Sequence, residues 1–158
     1  MGLEILEDAP DTTAVIASIG GGGLITGVGS AIKALKPDTM VFGVEPETAA
    51  PAALSFKMGS PQVFKEWKAS FVDGAGGQSM FPRMWERMKP IVDDYFVVSL
   101  EQTKGAMRLM AEKTRVISEG AGALPLAAVL SGKGGKGPIV AIVSGGNIDL
   151  HKFCELVS

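Results

Sequence analysis

The sequence predicts an α/β domain: a three-layer arrangement with a mainly parallel sheet and flanking helices. Two observations carry this. Short apolar runs (residues 13–18, 40–44, 95–98 and 139–143) alternate along the chain with longer segments of helical period. Within those runs polar residues do not alternate with apolar ones, the pattern of strands covered on both faces. The 158 residues fit a single domain over 1–158, long enough to bury a core of its own.

The elements follow in order. Ala14-Val15-Ile16-Ala17 lies within a buried strand over 13–18, and four consecutive glycines, Gly20 to Gly23, come directly after it. Residues 24–35 read as a helix stopped by Lys36-Pro37, and its Gly23, Gly27 and Ala31 stripe suggests a backbone lying close against the sheet. Met40 to Val44 is the next strand, ending at Glu45-Pro46, and a helix is expected over roughly 48–57. Residues 58–90 keep no clear period; they hold seven of the glycines and prolines and both tryptophans, Trp67 and Trp85. Tyr95 to Val98 is a strand, after which Ser99 caps a helix of about 15 residues with Glu101 in its first turn. A second helix covers roughly 120–131 and runs out into the glycine-rich connector 132–137. Ile139 to Val143 reads as a fully buried strand, followed by Ser144-Gly145-Gly146-Asn147 and a short terminal helix.

Composition narrows the function classes. With 46% apolar and 20% charged residues the chain has the make-up of a globular domain. A formal net charge of −2 argues against nucleic acid or an anionic membrane as partner. No apolar run is long enough for a membrane span, and Met1-Gly2-Leu3-Glu4 does not open a signal peptide. The single Cys154 allows no internal disulfide, and together with the single His151 it makes a poor metal set; Glu66 and Asp73 do not improve it. Cytosol is the expected location, and His151 has no partner nearby in sequence that would make it catalytic.

The glycine loop is the first candidate site. Bare backbone between a buried strand and a helix can turn its N–H groups inward, and the helix N-terminus adds partial positive charge. A phosphate suits such a loop. The dinucleotide fingerprint G-x-G-x-x-G fails, because its last glycine would fall on Ile25 or Thr26, and no Gly-Lys pair is followed by Ser or Thr as in a P-loop. Ser144 to Asn147 lies at the carboxyl end of the last strand, on the same rim of a parallel sheet as the glycine loop. Its hydroxyl can donate to a ring nitrogen or simply cap a helix. Glu119, opening Glu119-Gly120-Ala121-Gly122-Ala123, is either a site carboxylate or a complement to the helix dipole. Asp73-Gly74 is either a ligand-side loop or turn chemistry.

Ile19-Gly-Gly-Gly-Gly-Leu24, Glu119-Gly-Ala-Gly-Ala123 and Ser144-Gly-Gly-Asn147, in this order and spacing, resemble the fold-type II pyridoxal-phosphate enzymes. The resemblance is most specific to the branch of threonine/serine dehydratases (threonine ammonia-lyases) and serine racemases, and it spans essentially the whole chain. It implies the large-domain fold of those enzymes and pyridoxal 5'-phosphate as cofactor. It further implies that Gly20, Gly21, Gly22, Gly23 and Leu24 cradle the cofactor phosphate through backbone N–H groups, and that Ser144 hydrogen-bonds the pyridine nitrogen. Glu119 then lies near the ring edge and Gly74 at the cofactor's other side. The implied reaction is loss of the β-hydroxyl from serine or threonine, then release of ammonia and a 2-oxo acid.

The chain also departs from that pattern. The family's Schiff-base lysine, in a Ser-Phe-Lys-x-Arg-Gly segment, and its Ser-x-Gly-Asn substrate-carboxylate loop both lie upstream of the glycine loop, before this sequence starts. Ser55-Phe56-Lys57-Met58-Gly59 mimics the lysine motif but lacks the arginine and follows the glycine loop, so Lys57 reads as an exposed lysine at a helix C-terminus. The chain is therefore expected to correspond to the C-terminal part of a catalytic unit, without its N-terminal part or a regulatory domain, and to be inactive alone. Its expected partner is a second copy or a complementary N-terminal chain. The competing readings are a non-catalytic phosphate-ligand or oligomer-forming module, and racemase activity in a longer parent.

Overall fold

The computed structural model describes residues 1–158. Four strands, β1 (Ala14–Ser18), β2 (Met40–Pro46), β3 (Asp94–Val98) and β4 (Ile139–Ala141), form one sheet in the order β3-β2-β1-β4. Every pairing is parallel, with Val15 beside Val41 and Val140. Seven helices surround the sheet: α1 (Gly2–Asp8), α2 (Gly23–Leu35), α3 (Pro51–Met58), α4 (Pro82–Met88), α5 (Leu100–Thr114), α6 (Gly120–Leu130) and α7 (Leu150–Val157).

Alternation along β1 sorts its side chains into two cores. Ala14 and Ile16 pack with residues of α5, α6 and α7, whereas Val15 and Ala17 pack with residues of α2 and α4. All five residues of β1 are buried, as a central parallel strand requires. The result is a three-layer α/β sandwich.

Local chemistry sets the helix ends. Ser99 and Gln102 form a reciprocal capping box at the start of α5, with Ser99 N donating to Gln102 Oε1 (2.8 Å) and Gln102 N to Ser99 Oγ (3.1 Å). Asp149 caps α7 by accepting from the backbone N–H groups of His151 and Lys152. The buried Glu45 carboxylate accepts from Ala52 N (3.0 Å) and Ala53 N (2.8 Å), serving the free donors of α3 from the end of β2.

Four expectations need correction. The helix placed over 48–57 begins at Pro51, because proline suits the first helical position and keeps Ala50 before it out of the helical conformation (φ −123°, ψ 55°). A seven-residue helix, α4, lies within the aperiodic stretch 58–90; two turns are too short to display a period. The last strand ends at Ala141 and is half-buried, since β4 is an edge strand, although Ile142 N still donates to Ile16 O (3.0 Å). Finally, Gly23 and Gly27 are exposed, and a Cβ on either would meet nothing within 4 Å. The face of α2 against the sheet is Ile25, Val28 and Ile32, with Gly29 at the close approach, where a Cβ would lie 3.2 Å from Val41 Cγ1.

Candidate cofactor site

The strand order itself selects a place for a ligand. From β1 the chain steps outward to β2 and β3, then returns to place β4 on the other side of β1. The connections out of β1 and into β4 therefore lie on opposite faces, and a crevice opens beyond the carboxyl ends of these two strands. The glycine loop leaves β1 there, and Ser144 to Asn147 lie just beyond β4.

The loop presents an unusual run of donors. No carbonyl or side chain of the protein accepts from the backbone N–H groups of Gly20, Gly21, Gly22, Gly23 or Leu24. Gly22 is the N-cap of α2 in the left-handed conformation (φ 85°, ψ −4°), a turn that bare backbone makes at low cost. Its carbonyl accepts from Thr26 N (3.1 Å) and Thr26 Oγ1 (2.7 Å), which fixes the first turn of α2 behind the loop.

Two further segments close the crevice. Gly76 N donates to Ile19 O (2.9 Å) and brings residues 73–77 over the end of β1, where a Cβ on Gly20 would lie 3.0 Å from Gly74 O. Glu119 is the N-cap of α6, yet its side chain makes no capping bond. Its N–H donates instead to Gly145 O (3.2 Å), and Ser118 Oγ lies 3.2 Å from the same carbonyl. The Glu119 carboxylate thus runs between the two glycine segments. A Cβ on Gly145 would lie 2.5 Å from Glu119 Oε1, and one on Gly74 would lie 3.3 Å from it.

The eight residues singled out from sequence, Gly20, Gly21, Gly22, Gly23, Leu24, Gly74, Glu119 and Ser144, line one open cleft of about 350 Å³ together with Ser18. Lys57 is not among them; it is exposed in the last turn of α3. His151 is exposed on α7. An adjoining hollow is lined by Phe71, Asp73, Glu119, Asn147 and Lys152, so Asp73 lies beside the cleft rather than in it. Sequence reasoning passed over Ser18, although a polar residue closing a buried apolar run was a signal for it.

The chemistry of this lining is specific. No lysine or arginine side chain faces the cleft, so an anion there is held by backbone dipoles and the N-terminus of α2. The Ser144 hydroxyl can donate to or accept from a ring atom, and Glu119 can only accept while ionised. Five consecutive unpaired donors, one exposed hydroxyl and a carboxylate held between glycines fit a phosphorylated aromatic ring such as pyridoxal phosphate.

Residues 1–145 match the family model described as pyridoxal-phosphate dependent enzyme. A catabolic L-threonine dehydratase of Staphylococcus aureus is 39% identical over 99% of this chain and 46% of its own length. The crystal structure of a T.th. threonine deaminase superposes with a TM-score of 0.87 at 38% identity, covering 94% of this chain and 56% of that one. Maize serine racemase superposes with a TM-score of 0.87 at 32% identity, covering 98% and 50%. The chain spans about half the length of these relatives.

Proposed function

The chain belongs to the pyridoxal-phosphate dependent enzymes, and from that premise we propose that it forms the phosphate-and-ring half of an L-threonine/L-serine ammonia-lyase site. The observation that carries this reading is the run of five unpaired N–H groups, Gly20 to Leu24, on the same rim as Ser144 and Glu119. In this reading Gly20 to Leu24 bind the phosphate, Ser144 hydrogen-bonds the pyridine nitrogen, and Glu119 and Gly74 border the ring. When bound, the cofactor supplies a conjugated ring that draws electron density from an amino acid attached to it. A hydroxyl partner at the ring nitrogen leaves that nitrogen largely unprotonated, which moderates the withdrawal and suits loss of a β-hydroxyl.

The Schiff-base lysine and the group that holds the substrate carboxylate come, in this reading, from chain outside residues 1–158. Catalysis needs all reacting groups in one geometry, so the isolated chain binds the cofactor without turning over substrate. The free edge of β4 supports addition of further chain beside it, from a complementary N-terminal segment or a second copy. Identity to the threonine enzymes above that to maize serine racemase favours dehydration over racemisation in the complete site.

The test is a paired assay. The chain is mixed with pyridoxal phosphate and L-threonine or L-serine, and 2-oxo acid is measured against cofactor alone; no excess release is expected. Release above that background would show a complete site within these residues, and Lys57→Ala would then identify or dismiss the one lysine that mimics the family motif. A phosphate-binding module unrelated to the cofactor would bind inorganic phosphate as tightly as it binds pyridoxamine 5'-phosphate.

A further inference from the structure

The glycine loop is held from behind by two thioethers. Helix α4 places Met84 and Met88 one turn apart on a single face, and Met88 is fully buried. A Cβ on Gly22 would lie 2.6 Å from Met88 Sδ and 3.3 Å from Met84 Cε. The two side chains therefore occupy the place a side chain at residue 22 would take. Neither lines the cleft.

We infer that Met88, backed by Met84, is a positioning residue for the phosphate cradle, holding Gly22 in its left-handed turn; this rests on the loop binding phosphate as proposed above. The Gly22 peptide is then fixed on two sides. Its carbonyl is held by Thr26 N and Thr26 Oγ1, and its α-carbon is pressed by the thioethers. A flexible, polarisable side chain suits contact with bare backbone, since it fills the space behind the turn that a Cβ at residue 22 would take. The direction of the neighbouring N–H groups follows from the orientation of this peptide, so Met88 governs phosphate affinity without touching phosphate.

The test is Met88→Ala, which leaves a void behind Gly22. The first readout needs no ligand: hydrogen exchange at the Thr26 amide, whose acceptor is Gly22 O. We expect exchange there to quicken about tenfold while α5 amides are unchanged. The second readout is affinity for pyridoxamine 5'-phosphate, expected to fall about tenfold, against pyridoxamine without phosphate, expected to hold. Met88→Leu, close in volume, should restore most of both. Unchanged Thr26 exchange in folded Met88→Ala overturns the inference, as does equal quickening in α5, which marks a purely structural role. If Met88→Ala does not fold, Met84→Ala carries the same readouts, with a smaller effect expected and the same overturning results. Wild-type protein that binds no pyridoxamine 5'-phosphate, yet shows quickened Thr26 exchange in the variant, refutes the cofactor reading and leaves the Met88–Gly22 coupling standing.

Discussion

Ser18 Oγ donates to the carbonyl of Ala121 at 2.5 Å, and that carbonyl is the one Pro125 leaves without a helical donor. Proline has no N–H, so the acceptor four residues before it in α6 needs another partner. Ser18 is the last residue of β1, and Ala121 lies in the first turn of α6. One bond thus ties the strand that launches the glycine loop to the helix that carries Glu119.

Ser18→Ala should destabilise the chain by roughly 1–3 kcal/mol, because a buried carbonyl loses the hydroxyl that serves it. Pro125→Ala returns an N–H to the helix at the matching position. The double variant should therefore lose less stability than the two single changes summed, as read from denaturant unfolding. Simple additivity would show that Ser18 does not serve the carbonyl freed by Pro125.

Gly145→Ala and Gly27→Ala form a contrasting pair. A Cβ at 145 would lie 2.5 Å from Glu119 Oε1, whereas one at 27 meets nothing within 4 Å. Gly145→Ala should displace the carboxylate and weaken binding of pyridoxamine 5'-phosphate about tenfold. Gly27→Ala, in an exposed turn of α2, should leave binding unchanged and raise stability by roughly 0.5–1 kcal/mol. Equal affinities in the two variants would place Glu119 outside the ligand's reach.

Burial raises the Glu45 carboxyl to about 7, against the opposing pull of its hydrogen bonds from Ala53 and Ala52. The native state therefore holds a proton that the unfolded chain releases near its ordinary value of 4.5. This favours the folded state fully below about pH 4.5 and is lost progressively as pH rises to about 7, a span of roughly 3 kcal/mol at most. Unfolding free energy measured across that range should fall with rising pH, and Glu45→Gln should flatten the slope. An unchanged slope in the variant would assign the pH dependence to other groups.

Much of the fold was legible because the strands are short and mostly apolar, with β1 running into the glycine loop, β2 ending at Pro46 and β3 stopped by the Ser99 cap. The cleft was legible for a related reason: Gly20 is demanded by the approach of Gly74 O, Gly22 by its left-handed turn, and Gly74 and Gly145 by the Glu119 side chain, demands that sequence records directly. Helix α4 was not, since Pro82 to Met88 is two turns long and its buried residues, Trp85 and Met88, give no repeat. The inward face of α2 was misread because Gly23, Gly27 and Ala31 are small enough to suggest contact, while the sheet is covered by Ile25, Val28 and Ile32. The exposure of β4 was also hidden: an edge strand and a central one share the same apolar run, and only the strand order distinguishes them. Met88 acts through Gly22, distant in sequence, so no local pattern marks its role, and Ser18 stood out only as the polar residue closing an apolar run.

The central claim is that the backbone of the glycine loop is a phosphate cradle, and calorimetric titration with pyridoxamine 5'-phosphate tests it directly. Gly21 is the position to vary, because it lines the cleft and a Cβ there meets nothing within 4 Å, so Gly21→Asp adds a negative charge without a clash. The expected result is saturable binding by the native chain, at least about tenfold weaker in Gly21→Asp and in pyridoxamine lacking the phosphate. Equal heats for the phosphorylated and unphosphorylated ligands, or no loss in Gly21→Asp, would contradict it.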